Sequence, residues 1–289
     1  MKATNACLPC MIGQAYNTAS RCTADEALQR AILDETLRRY VGVSLDESPA
    51  VLSQIAFETC RELSGVHDPY LEDKRASNVA AMKLYPELHR RVAEAADPLH
   101  DALVLAVAGN IIDLAIAQEY DLQDSIVARL QHGFDYAEVE PFRAAAARAE
   151  RILYIADNAG EIVFDRLLIE VLGPDRITLM VRGGPIVNDV LAEDIEQVGL
   201  AGLVRVVDTG CNYFGLPWEY ASETAREEFR AADMVISKGH ANFETVTELG
   251  PEADKAWYLL KVKCGEVARQ IGVTDGDIVL ISNETMRRR

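Results

Sequence analysis

The chain has 289 residues, which fits one large domain or two small ones, because single cores tend to split beyond roughly 250–300 residues. Apolar residues make up 49% and charged residues 26%, so whole-chain disorder and low complexity are excluded. With 29 Lys and Arg against 46 Asp and Glu, the formal charge of −17 disfavours nucleic-acid and anionic-membrane partners, although a local basic cleft could still bind a small phosphate.

The first twenty residues hold one Lys and no sustained apolar core, so they do not read as a signal peptide. No apolar run approaches the roughly 20 residues that span a bilayer. Six scattered cysteines point to reduced thiols in the cytoplasm rather than a disulfide framework. Cys7-Leu8-Pro9-Cys10 is a CxxC, which is half a zinc site, a redox pair or simply two reduced thiols. No second CxxC follows, so a complete zinc site would need Cys22, Cys60, Cys211, Cys264 or a His.

Residues 1–148 read as a helical domain. The stretch 25–41 places Leu28, Ile32, Leu37 and Val41 near one face, and 51–63 and 76–84 are similar. Residues 97–118 are nearly all apolar and predict a helix buried on most sides. Pro49, Pro69, Pro86 and Pro98 mark helix starts. Inside the apolar stretch, Asn110 and Asp113 are three apart and share a face, which is expected to meet a cleft. Tyr70 and Lys74 are expected to wall a substrate pocket.

Residues 149–289 alternate short β-rich runs with helical periods. Strands are predicted at 152–156, 177–181, 204–207, 234–237, 256–262 and 278–281. Helices are predicted at 162–172, 187–198, 218–230, 241–249 and 265–271. The alternation implies a parallel sheet with helices on both faces. In such sheets ligands bind beyond the carboxyl ends of the strands. Those ends carry Asp157-Asn158-Ala159-Gly160-Glu161, Arg182-Gly183-Gly184 with Asn188-Asp189, Asp208-Thr209-Gly210, and Ser237-Lys238-Gly239-His240-Ala241-Asn242-Phe243-Glu244. Each is also ordinary turn or cap chemistry, but four on one rim point to a site.

Asp157, Asn158 and Asp189 are hard oxygen ligands that suit a divalent metal such as Mg²⁺ or Mn²⁺. Lys238 offers a point charge to a phosphoryl group, and glycines let backbone N–H groups approach an anion. Metal-assisted phosphoryl hydrolysis follows as the reaction class. The sequence has no GxGxxG after the first strand, no GxxxxGK[ST] and no GxSxG.

The segments CLPC at 7–10, DPYLEDKRASN at 68–78, AGNIID at 108–113, DNAGE at 157–161, VRGGPIVND at 181–189 and SKGHANFE at 237–244 occur in this order. In these the sequence resembles the DUF89, or damage-control phosphatase, family, and most of all its prokaryotic branch with an N-terminal CxxC. The resemblance implies an α/β fold, with a helical N-terminal part packed on a Rossmann-like three-layer α/β/α part whose sheet is mostly parallel. It implies a divalent metal (Mg, Mn, Co or Ni) on Asp157, Asn158 and Asp189, phosphate contacts from Lys238, and Asn110 and Asp113 facing the same cleft. The implied substrates are small phosphorylated metabolites, such as sugar phosphates or phosphopantetheine compounds.

Asp157, Lys238, Glu161 and Asp113 are thus the expected catalytic residues. Glu161 or Asp113 is the base, or Asp157 carries an aspartyl-phosphate. Substrate contacts are expected from Asn110, Arg182, Gly183, Lys238, Gly239, Asn242, Tyr70 and Lys74. Two other readings are a non-catalytic phosphometabolite binder and an S-adenosylmethionine-dependent carboxyl methyltransferase.

Overall fold

A computed structural model describes residues 1–109, 128 and 130–288; the expected cleft residues Asn110 and Asp113 lie outside the described residues. Five helices come first: α1 (Cys7–Cys22), α2 (Glu26–Tyr40), α3 (Pro49–Ser64), α4 (Leu71–Glu94) and α5 (Pro98–Ala108). Their starts follow local chemistry. The side chains of Asp25, Ser48 and Asp97 accept from the first-turn N–H groups of Ala27, Val51 and His100. Pro49 and Pro98 occupy first-turn positions, where a missing N–H costs nothing. Pro86 departs from expectation and lies inside α4, which continues through it with Leu84, Leu88 and Val92 buried at successive four-residue steps.

The remaining elements are β1 (Tyr136–Ala137), α6 (Val139–Arg148), β2 (Ile152–Ile155), α7 (Glu161–Leu172), β3 (Ile177–Val181), α8 (Ala192–Gln197) and β4 (Arg205–Asp208). After them come α9 (Glu223–Ala231), β5 (Met234–Lys238), α10 (Gly239–Val246), β6 (Ala256–Lys261), α11 (Gly265–Ile271), β7 (Ile278–Ser282) and α12 (Asn283–Arg288). The seven strands form one sheet in the order β1-β7-β6-β5-β2-β3-β4. Strands β2 to β6 are parallel, β7 runs antiparallel to β6, and β1 pairs parallel with β7. The fold is therefore mixed α/β with a mostly parallel sheet. The two-residue β1 was absent from the sequence reading because it is too short to display a period.

The period-two alternation of each strand builds two cores. Ile152, Tyr154, Leu179, Ile236 and Leu259 face a cluster containing Leu88 of α4, Leu103 of α5, Phe142 of α6 and Leu168 of α7. Leu153, Ile155, Met180, Val235 and Tyr258 face the other side, against Phe229 of α9, Phe243 of α10 and Ile271 of α11. Both faces are covered, which is why these strands read as continuous apolar runs. Among the described residues no helix is long and apolar enough to cross a membrane.

From β2 the chain moves outward to β3 and β4, then crosses back to β5 on the other side of β2. The strand order reverses there, and the crevice beyond the carboxyl ends of β2 and β5 is where such sheets bind ligands. The helical layer reaches this crevice through Asn78 of α4. Its Oδ1 accepts from the Gly160 N–H at 2.6 Å, and its Nδ2 donates to Asp194 and Gln197 of α8 at 3.0 Å each. Asn78 is fully buried, so these bonds have no water to replace them. Asn78→Ala leaves the buried Gly160 N–H without an acceptor and should lower stability by about 1–3 kcal/mol. Urea unfolding followed by Trp fluorescence checks this; an unchanged midpoint would contradict it.

Candidate functional site

Asp157 follows β2 and Gly239 follows β5, and the two meet across the strand reversal. A Cβ on Gly239 would lie 2.0 Å from Asp157 Oδ2, and Gly239 has a φ of +73°. Glycine is required there twice over, by the backbone and by the carboxylate that fills its missing side chain. The loop after β3 folds back onto the same segment. Val190 N–H donates to Asp157 O at 2.9 Å, Ala159 N–H to Asn188 O at 2.8 Å, and Arg182 N–H to Val190 O at 2.9 Å. These bonds set Asp189 against Asn158 as a backbone bridge. The loop was expected to be helical from 187. It instead makes a turn, with Asp189 N–H donating to Ile186 O, and then bonds to the β2 segment before α8 begins. Val187 sits at φ +41°, a conformation rare for a β-branched residue.

Asp157, Asn158 and Asp189 are thus brought together although Asp189 lies 32 residues after Asp157 in the sequence. Asn158 Nδ2 donates to Asp157 Oδ2 at 2.7 Å and to Glu161 Oε2 at 3.0 Å. Burial, with the charges of Asp189 and Glu161, pushes the Asp157 carboxyl up to about 8. Burial also raises Asp189, although Arg182 pulls the other way.

Lys238 is placed differently from expectation. It is fully buried, and its Nζ donates to Ala106 O of α5 at 2.8 Å, Glu161 Oε1 at 2.5 Å and Asp165 Oδ1 at 2.5 Å. An ammonium has three protons, so Lys238 would have to leave these acceptors to reach a phosphoryl oxygen. Burial alone would lower its pKa, but the Asp165 and Glu161 carboxylates outweigh that and raise it. Asp165, absent from the sequence candidates, also accepts from the Tyr154 hydroxyl at 2.7 Å. Its signal was available: it lies four residues after Glu161, on the same face of α7.

Arg182 is buried beside the metal candidates. Its Nε donates to Asp189 Oδ2 at 2.6 Å and its Nη2 to Asn242 Oδ1 at 3.0 Å, while Nη1 is buried and has no hydrogen-bond partner among the described residues. Asn242 spends its Nδ2 on Ala156 O and Lys238 O, so it braces the two strand ends. Gly183 is exposed, but its N–H is already used by Thr209 Oγ1 and Cys211 O. Tyr70 is buried with its hydroxyl on Thr18. Lys74 is buried and ion-paired to Asp68 at 2.9 Å, in a geometry outside the hydrogen-bond range. Tyr70 lines a small pocket with Asp68, Pro185 and Val187, whereas Lys74 is not part of that lining.

Cys7 and Cys10 open α1, and all six cysteines are free. Burial and the neighbouring Cys264, Cys7 and Glu244 raise the Cys10 thiol, the opposite of what an activated thiolate needs. Among the described residues no group of three or more His, Cys, Asp or Glu side chains is arranged to hold a metal ion. The rim set differs in kind, because one of its three oxygens is the Asn158 amide. Charge supplies the test of fit. Asp157, Glu161, Asp165 and Asp189 are buried close together, and among the described residues Lys238 and Arg182 are the cations ion-paired within this group. When all four carboxylates are ionised they outnumber those two cations, and an excess of hard anionic oxygens fits a divalent cation. A cavity of about 620 Å³ lined by Asp233, Lys255, Trp257 and Ser282 lies at the opposite edge of the sheet, away from this network.

Comparison with known proteins gives the family and the fold it shares. The family described as "Damage-control phosphatase ARMT1-like domain" matches residues 3–279. A damage-control phosphatase of Pyrococcus horikoshii is 31% identical over 290 aligned positions, covering 98% of this chain and 99% of the relative. A damage-control phosphatase of Archaeoglobus fulgidus is 31% identical, covering 96% of this chain and 98% of the relative. The crystal structure of a DUF89 family protein from Pyrococcus horikoshii superposes with a TM-score of 0.91 at 30% identity, covering 98% of this chain and 99% of that one.

The crowded carboxylates predict a pH dependence. An acid whose folded pKa is raised stabilises fully below its ordinary value, and that stability is lost as pH rises through the folded value. Asp157 at about 8, with Asp165 and Glu244 at about 7, all act in this direction. In a chelator, the unfolding temperature should fall from pH 6.5 to 8, and Asp157→Asn should flatten that slope. A flat wild-type profile would contradict the electrostatics described above.

Proposed function

The chain belongs to the damage-control phosphatase ARMT1-like (DUF89) family, and on that premise we propose that it is a metal-dependent phosphomonoester hydrolase acting on small phosphorylated metabolites. The observation that carries this reading is the gathering of buried carboxylates, with the Asn158 amide, at the strand-reversal crevice. The names of its relatives support a phosphatase role.

Asp157, Asn158 and Asp189 would hold the divalent cation. When bound, such a cation neutralises phosphoryl charge and polarises a phosphoryl oxygen as a Lewis acid. Arg182 is the cation best placed to meet a phosphoryl oxygen, because its Nε and Nη2 are anchored and its Nη1 is left over. Lys238 holds Glu161 from beneath. Glu161 already uses one oxygen on Lys238 and the other on Asn158, so we assign it to positioning rather than to proton transfer. Asp157 remains the group that can orient an attacking water or itself attack phosphorus. Its raised pKa belongs to the metal-free state, and a cation on the same oxygens would favour the carboxylate.

The test uses metal-stripped protein with sugar phosphates, phosphopantetheine compounds and an aryl phosphate. Mg²⁺, Mn²⁺, Co²⁺ or Ni²⁺ is added singly and phosphate release is measured. Release should require a metal, and Asp157→Ala should reduce it about 10²–10³-fold or more, the scale of losing a principal electrostatic group. Retained turnover in that variant, or no release with any metal from folded protein, would overturn the reading.

A further inference from the structure

Asn158 has one oxygen and one nitrogen on its amide, and only the oxygen can ligate a hard cation. Something must therefore choose which way the amide faces. Both of its N–H groups are taken, one by Asp157 Oδ2 and one by Glu161 Oε2, so Oδ1 is turned away from both carboxylates. The orientation thus depends on where Glu161 Oε2 lies. Glu161 is fixed through its other oxygen by the Lys238 ammonium.

Lys238 in turn is held by Ala106 O and Asp165 Oδ1. The Ala106 carbonyl is neutral; Asp165 is the charged anchor. Asp165 is itself located by the Tyr154 hydroxyl on β2, the strand that ends beside Asp157. The contacts run Tyr154 to Asp165 to Lys238 to Glu161 to Asn158, and Tyr154, Asp165 and Lys238 show no exposure at all.

Charge explains why a second carboxylate is needed. A lone Lys238–Glu161 pair would be neutral and would leave an ammonium proton without an acceptor in the core. With Asp165 present, the ammonium is shared, and Glu161 keeps negative character to spend on the Asn158 amide. We propose that Asp165 is a positioning residue: it anchors Lys238 so that Glu161 locks the Asn158 amide with its oxygen toward the crevice. This rests on the metal-site reading above for its purpose, but not for its geometry.

The experiment reads the Asn158 side-chain N–H pair by ¹H–¹⁵N NMR in the full chain without metal, with Mn²⁺ affinity measured separately. In Asp165→Ala the two Asn158 signals should move toward free-amide values and exchange with water about tenfold faster. In Asp165→Asn, which keeps an acceptor oxygen without the charge, exchange should quicken about threefold. Mn²⁺ binding should weaken by similar factors. A purely structural role for Asp165 would lower the unfolding temperature while leaving the Asn158 signals as in wild type. That result in Asp165→Ala, or in Asp165→Asn if the alanine variant does not fold, overturns the proposal. Absence of Mn²⁺ binding by wild type, with the amide signals responding as described, would overturn the metal reading and leave the positioning role standing.

Discussion

Four buried carboxylates and the cations Lys238 and Arg182 gather where the strand order of the sheet reverses, and most of the surrounding architecture answers to that crowding of charge. Buried charge is tolerated only when paired and hydrogen-bonded. Each cation here is accordingly divided among several acceptors: Lys238 among three, and Arg182 between Asp189 and Asn242. Removing either cation would add to an unmet charge, so fold and site depend on the same contacts.

The helical layer is a working part of this arrangement. Helix α5 supplies the Ala106 carbonyl to Lys238, and α4 supplies Asn78 to the Gly160 N–H. Helix α5 can approach this closely because of Gly109, where a Cβ would lie 2.9 Å from Phe164 and 3.1 Å from the Glu161 backbone. The glycine that looked like part of a cleft motif therefore sets the spacing between α5 and α7. Asn78 does the corresponding work at the other edge of the Asp157–Glu161 loop, since it also engages Asp194 and Gln197 of α8.

Much of this was legible in the sequence because the signals were local. Strands β2, β3 and β5 announced themselves as apolar runs since both sheet faces are covered, and Asp157, Asn158 and Asp189 fell at strand ends. What could not be read was decided by distant partners. The sequence 187–198 has a helical pattern, but residues 188–190 bond to the β2 segment and only Ala192–Gln197 become helix. The direction of β7 depends on its pairing with β6, which no short-range pattern encodes. Lys238 looked like a phosphate ligand because its burial comes from α5 and α7, 70 or more residues away. Asp165 carried a local signal as well, since it lies one turn after Glu161 on the same face of α7.

The central claim is that a divalent cation completes the charge of this crevice. Burial and the neighbouring Asp189 and Glu161 raise the Asp157 carboxyl to about 8, which favours its protonated form at pH 7 without metal, and a cation bound there must displace that proton. Calorimetric titration of Mn²⁺ into metal-stripped protein, repeated in buffers of different ionisation enthalpy, counts that proton. About one proton released per cation bound at pH 7, and none in Asp157→Asn, is the predicted result. Tight binding without proton release, or no binding at all, would contradict it.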